Sequence, residues 1–312
     1  MALRSIDHAK NDFTILKDKD TRTRGHSQVW NSGKLQNLQA LARIVNSAHI
    51  PIVIIKRRRW NFKTKALAHS TRSCYHIFLG SRTRYRANAA MTKLRDILAP
   101  SNSTAEPIEI DVTNDESIRK AVKYVEDRFG WLDMLVNNAD AEFDATFDKD
   151  ASSFRAISNE AYNVNVAGAE VLTSLFAPLL IKSPHARLIF LSSSSSSLYG
   201  THRSSDPAET QEMETRFSRD GLVGQKGYRC SKVAVNMCML GWYHTLREDG
   251  VKTFAVSHEW SGTHSDASTQ DDLSRLEAGD PTLGGQLVRM VVEGERDKDV
   301  GRVVTCDGVQ RW

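Results

Sequence analysis

Glycine is unevenly spread along the chain. No glycine occurs between Gly33 and Gly80, although the 312 residues contain 18. Proline is sparse at 7 and cysteine sparser at 4, and Cys74, Cys230, Cys238 and Cys306 form no CxxC pair. That spacing excludes a zinc ribbon and a disulfide-stapled secreted fold, and it points to reduced thiols in the cytoplasm. No run reaches 18 apolar residues, so no membrane span is expected. GxSxG is absent, which removes an α/β-hydrolase, and the ten histidines show no metal-ligand spacing, so no metal is expected. Charge is nearly balanced, with 42 Lys+Arg against 38 Asp+Glu. The basic run Lys56–Arg59 has no second cluster beside it, and nucleic acid is not the expected partner.

What is present begins at Pro51. Residues 1–50 are polar, mix acids with bases and lack strand-like runs; they read as a poorly ordered extension carrying one short amphipathic helix at Gln36–Val45. Residues 51–312 read as one domain in which short β-branched runs alternate with amphipathic helices. Strands are expected at Ile52–Ile55, Tyr75–Leu79, Ile108–Val112, Leu132–Val136, Leu188–Leu191, Lys252–Val256 and Gly301–Thr305. Helices are expected at Arg86–Leu98, Asp115–Phe129, Phe154–Leu180, Tyr228–Arg247 and Pro281–Val292. Strands without polar alternation fit a sheet covered on both faces. The fold class is therefore α/β: a doubly wound, Rossmann-type parallel sheet of about seven strands with helices on both faces. Ligands bind such sheets beyond the carboxyl ends of the strands.

Polar groups collect at those ends. Tyr228 and Lys232 lie at i, i+4 on one helix face, in YRCSK. Ser192 and Ser193 follow a buried strand, as does Asn137-Asn138-Ala139, and Asn165 sits inside the long helix. With YHIFLGSR, IDVTND, DMLVNNAD and the terminal VVEGERDKDVGRVVTCDGVQRW, these features resemble the short-chain dehydrogenase/reductase family, especially fungal carbonyl-reductase-like members, over about residues 72–312. The resemblance implies a catalytic tetrad of Asn165, Ser193, Tyr228 and Lys232. Tyr228 would be the general acid/base, Lys232 would lower its pKa and bind the nicotinamide ribose, Ser193 would polarise the substrate oxygen and Asn165 would hold a relay water. It implies cofactor contacts from Ser81, Arg82, Asp111, Val112, Asn138, Ala139, Tyr228, Lys232 and Thr263.

Cofactor choice is read at the end of the second strand. An acid there selects NAD and a cation selects NADP. The sequence has Ser81-Arg82 with Arg84 and Arg86 nearby, so NADP is expected. The substrate would be a small carbonyl or alcohol compound, and the family's helix pairing implies a homodimer or homotetramer. Residues 193–228 are expected to form a flap over the substrate.

Three positions depart from the family pattern. The T-G-x-x-x-G-x-G turn should follow the first strand, where Lys56-Arg57-Arg58-Arg59-Trp60 stands instead. Asp140 replaces the last glycine of NNAG, and His258-Glu259 replaces a Pro-Gly pair. Two readings follow. Either the chain is a weakly binding relative that acts as a non-enzymatic or dimerising protein, or the first sixty-odd residues are a mistaken translation of the gene.

Overall fold

Hydrophobic alternation along the strands sorts the core into two layers, one on each face of a single sheet. The computed structural model describes residues 52–58, 74–98, 104–142, 151–199, 226–258, 281–306 and 308–312. The strands are β1 Ile52–Arg58, β2 Cys74–Ser81, β3 Thr104–Glu109, β4 Met134–Asn137, β5 Arg187–Ser193, β6 Lys252–His258, β7 Val303–Thr305 and β8 Gly308–Gln310. The helices are α1 Arg84–Leu98, α2 Asp115–Phe129, α3 Ala151–Tyr162, α4 Gly168–Ile181, α5 Lys226–Leu246 and α6 Pro281–Glu293. The sheet order is β3-β2-β1-β4-β5-β6-β7-β8. The expected N-terminal extension, the segment after β1, most of the flap and Thr263 lie outside the described residues.

Leu188 and Phe190 of β5 join Phe78, Leu135 and Ala255 beneath α2, α4 and α5. Their neighbours Ile189 and Leu191 join Ile77, Leu79, Val136 and Val256 beneath α1 and α6. Both faces are therefore dry, which is why these strands carry no polar alternation. The doubly wound Rossmann-type architecture follows directly, with eight strands in place of about seven. The eighth is a short C-terminal addition antiparallel to β7.

β1 departs from the expected all-parallel arrangement. It occupies the usual central place between β2 and β4 but runs antiparallel to both, with Ile52 opposite Gly80 and Asn137 and Arg58 opposite Cys74. Parallel neighbours need a crossover of a dozen or more residues, usually a helix, whereas antiparallel neighbours join end to end. Here the end of β1 lies beside the start of β2, so no crossover over the sheet is required. The consequence is positional. Lys56, Arg57 and Arg58 pair with His76, Tyr75 and Cys74, at the edge opposite the strand carboxyl ends. This run is therefore not placed to hold a phosphate at the ligand edge.

Local chemistry sets the other boundaries. α2 starts where the Asn114 side chain accepts from Ser117 N at 3.0 Å, with Asp115 and Glu116 favouring the helix's positive end. It stops at Gly130, whose φ of 75° lets its N–H reach Glu126 O at 2.8 Å. β3 ends earlier than the apolar run Ile108–Val112 suggests. Asp111 Oδ1 accepts from Thr113 N at 3.0 Å and Thr113 Oγ1 at 2.8 Å, closing a turn that takes the chain off the sheet.

By length and composition alone Phe154–Ile181 could cross a membrane. Val166, Leu172, Phe176, Leu179 and Leu180 instead pack against the sheet, the position of a core helix in a globular domain. A π-turn at Asn163–Ala167 interrupts the run between α3 and α4. Immediately after it, Gly168 lies so close to the β3–α2 turn that an added Cβ would stand 2.8 Å from Val112 Cβ.

Candidate active site

The strand-end groups meet in one place, at the carboxyl ends of β4 and β5 under the start of α5. α5 buries Gly227, Tyr228, Ser231, Lys232, Val235, Asn236 and Met239, a stripe at three- and four-residue spacing that turns Tyr228, Ser231 and Lys232 inward. Lys232 is only 1% exposed. Its Nζ donates to Leu191 O at 2.9 Å and stands 5.4 Å from the centre of the Tyr228 ring. Ser193, the last residue of β5, is buried and close enough to Tyr228 to hydrogen-bond its phenol. Ser193 Oγ also accepts from Ser195 N at 3.2 Å and shares a 2.8 Å hydrogen bond with Ser195 Oγ.

Ser192 and Ser193 alternate across the strand, and that alternation separates their roles. Ser192 is turned to the helix, donating to Asn236 Oδ1 at 2.6 Å and sharing a 3.0 Å bond with Ser196 Oγ. The C-terminal strand braces the same turn. Gln310 Nε2 donates to Ser196 Oγ at 3.0 Å, Ser197 Oγ to Arg311 O at 2.7 Å and Tyr199 N to Trp312 O at 2.7 Å. Sequence reading passed over Asn236 and Gln310. Asn236 carried a usable signal, since it is four residues beyond Lys232 on one helix face; Gln310 reaches the site only through the fold.

Asn165 owes its inward position to the π-turn, being 2% exposed. Both of its amide protons are committed, to Ala141 O and Ser231 Oγ at 3.0 Å each, while Oδ1 accepts from Ala141 N at 2.8 Å. Ser231 in turn donates to Tyr228 O at 2.6 Å. Asn165 thus ties the loop after β4 to α5.

That loop presents Asp140. Its Oδ1 pairs with Lys232 Nζ at 3.0 Å and its Oδ2 accepts from Tyr228 OH at 3.0 Å. The lowering of the Tyr228 pKa expected from Lys232 is opposed here by its surroundings. Burial, then the Asp140 charge and hydrogen bond, and then Glu142 hold the phenol well above the ordinary tyrosine value, with only Ser193 acting the other way. The lysine's charge is met by a carboxylate before it can favour a phenolate.

The groups expected to hold the adenosine half of a dinucleotide lie farther along the same edge. Ser81 is buried at the end of β2, and Arg82 is exposed beside it. Glu109 Oε2 accepts from Arg84 N at 3.2 Å, so an acid sits at the start of α1 next to Arg82. Asp111 and Val112 form the turn after β3, and half-buried Asn138 and Ala139 follow β4. They lie along the strand carboxyl ends, where the adenosine contacts are expected. Among the described residues, β1 ends at the opposite edge, and Asp140 crosses the other end of the site.

Residues 66–205 match the short chain dehydrogenase family model. The chain is 38% identical to the short-chain dehydrogenase/reductase tropE of Talaromyces stipitatus over 79% of its length and 91% of that protein. It is 33% identical to eupG of a Phoma species, over 80% of this chain and 93% of the relative. Among solved structures, an NADPH-bound carbonyl reductase from chicken fatty liver superposes with a TM-score of 0.54 at 21% identity, covering 75% of this chain and 84% of that one. A Pseudomonas aeruginosa RhlG/NADP complex gives 0.54 at 17%, covering 73% and 83%. At 38% and 33% identity over about four fifths of its length to tropE and eupG, the chain belongs to the short-chain dehydrogenase/reductase family.

Proposed function

We propose that the protein is an NADP(H)-dependent oxidoreductase acting on a carbonyl or alcohol substrate, with Tyr228 as general acid/base. The observation that carries this reading is the convergence of Tyr228, Lys232 and Ser193 where β5 meets α5. When bound, the nicotinamide would supply or accept the hydride. Tyr228 would give its phenol proton to the substrate oxygen in reduction, or take one from it in oxidation, and Ser193 Oγ would polarise that oxygen. Ser81, Arg82, Asp111, Val112, Asn138 and Ala139 would hold the cofactor, with Arg82 favouring a 2′-phosphate. The NADPH-bound carbonyl reductase and the RhlG/NADP complex of similar fold support that choice. Steady-state assays with NADPH and NADH against ketones, aldehydes and quinones test it. Tyr228→Phe should abolish turnover, and a fully active variant overturns the assignment.

A second reading is favoured by the reversed β1 and by Asp140: a relative that binds cofactor poorly and serves as a dimerising protein. α3 and α5 expose Tyr162 and Met237, at 51% and 69%, on helices that pack side by side. Under either reading the protein is a cytoplasmic homodimer or homotetramer, in keeping with free Cys230 and Cys238. Light scattering that finds a monomer at tens of micromolar, a concentration chosen so that mass action favours assembly (about 10⁻⁵ M), refutes the oligomer. Calorimetric titration with NADPH separates the two readings. Lost charge-assisted hydrogen bonds at about 1.5–3 kcal/mol each predict affinity weakened by roughly a thousandfold.

A further inference from the structure

We infer that Asp140 is a positioning residue that latches the Tyr228–Lys232 pair: its carboxylate holds the phenol proton and the ammonium together, and the pair acts on a substrate oxygen only once that carboxylate is neutralised or turned away. The inference deepens the proposed function and rests on its acid–base assignment for Tyr228.

The geometry is that of a two-armed contact. One oxygen of Asp140 takes the phenol hydrogen at 3.0 Å and the other meets the ammonium at 3.0 Å, so both groups are engaged by one side chain. The side chain of Asp140 is 13% exposed, so water screens the contact little. Its aim is fixed from behind. Asn165 holds both backbone groups of the next residue, Ala141, and Asn165 is itself bonded to Ser231 on α5. The loop therefore cannot withdraw Asp140 without giving up these bonds.

The surrounding charges are few among the described residues. α5 contributes Lys232 and Tyr228, the loop itself contributes Glu142, β5 offers the Leu191 carbonyl and the Ser193 hydroxyl, and the π-turn offers the neutral Asn165. With Asp140 charged, a tyrosine donating to it has its hydrogen directed away from any substrate oxygen. With Asp140 neutral, the Lys232 ammonium, 5.4 Å from the ring centre, is released to favour phenolate against the remaining Glu142 charge and readies the hydroxyl to exchange its proton. A glycine at this position, as in the family's NNAG, carries no such latch. This chain has acquired a third titratable member in a site that otherwise has two.

The test reads Tyr228 directly. The full-length protein is labelled with ¹³Cζ-tyrosine, the Tyr228 resonance is assigned by its loss in Tyr228→Phe, and it is followed by NMR from neutral pH to the onset of alkaline unfolding. The same titration is run on Asp140→Asn and Asp140→Gly, so that one variant's failure to fold does not decide the matter. Removal of the carboxylate should lower the Tyr228 midpoint by about one pH unit or more, and a role confined to structure would not move it. A midpoint unchanged or raised in the folded variants overturns the inference, whether or not any of them reduces a ketone. A lowered midpoint in variants inert toward every carbonyl tested supports the latch and overturns the oxidoreductase reading instead.

Discussion

Replacing Asn165 with alanine should destabilise the protein by about 2–3 kcal/mol, counting roughly 1 kcal/mol net for each side-chain hydrogen bond. Three bonds are lost: two to the backbone of Ala141 and one to Ser231 Oγ. The full penalty for buried unpaired groups does not apply, because Ala141 is half-buried and water can reach its N–H and C=O, and Ser231 keeps Tyr228 O as an acceptor. For a domain of this size the loss corresponds to a fall in Tm of roughly 5–10 °C. Thermal unfolding followed by circular dichroism, with urea titration for the free energy, measures it. Asn165→Asp sharpens the test. It keeps the oxygen that accepts from Ala141 N but turns a second acceptor toward Ala141 O and Ser231, so at neutral pH it should cost more than alanine. Protonating that carboxyl in mild acid should recover part of the loss. If Asn165→Ala unfolds within about 0.5 kcal/mol of the parent, the usual scatter for a surface change, the tie between the β4 loop and α5 carries no weight and the reasoning fails.

Further outcomes follow from other contacts. Gly168→Ala should cost about 1–3 kcal/mol by overpacking, since its Cβ would stand 2.8 Å from Val112 Cβ and 3.0 Å from Val112 O; a neutral result in urea unfolding would refute the close approach. Maleimide at pH 8 should label exposed Cys230 well before Cys238, whose thiol burial and the neighbouring Glu170 push up to about 12; equal rates by mass spectrometry would contradict this. Burial works against the Asp297 charge, but hydrogen bonds from Arg187 and Lys252 outweigh it and hold that carboxyl below its ordinary value. The stability it contributes is therefore complete above the ordinary carboxylate range and lost as pH falls through the lowered value. Asp297→Asn should be destabilised at neutral pH, with the gap closing in acid; a gap independent of pH would refute the charge argument.

The architecture and most of the site were fixed by local pattern. β-branched runs buried on both faces, helical stripes at three- and four-residue spacing, and polar residues just after strands are all properties of short windows. β5, β6, α2 and α5 accordingly fall within about two residues of their expected ends. Tyr228 and Lys232 share a face because the helical repeat requires it. Ser193 and Ser192 take opposite faces because a strand alternates. Direction and encounter belong to another level. Whether β1 runs with or against its neighbours depends on how the chain returns to β2, and an apolar run such as Ile52–Ile55 reads the same either way. The turn of β3 at Asp111 depended on a side chain closing back on Thr113, which shortened the strand that its apolar run predicted. Asp140 was visible as a charged residue in a glycine's place, but nothing local paired it with Tyr228 and Lys232. Only the pinning of Ala141 by Asn165, a residue 24 positions away, turns its carboxylate onto Tyr228 and Lys232 and opposes the expected shift of the phenol. Electrostatic outcomes of this kind depend on distances of a few ångströms between distant segments, and those distances exist only once the chain has folded.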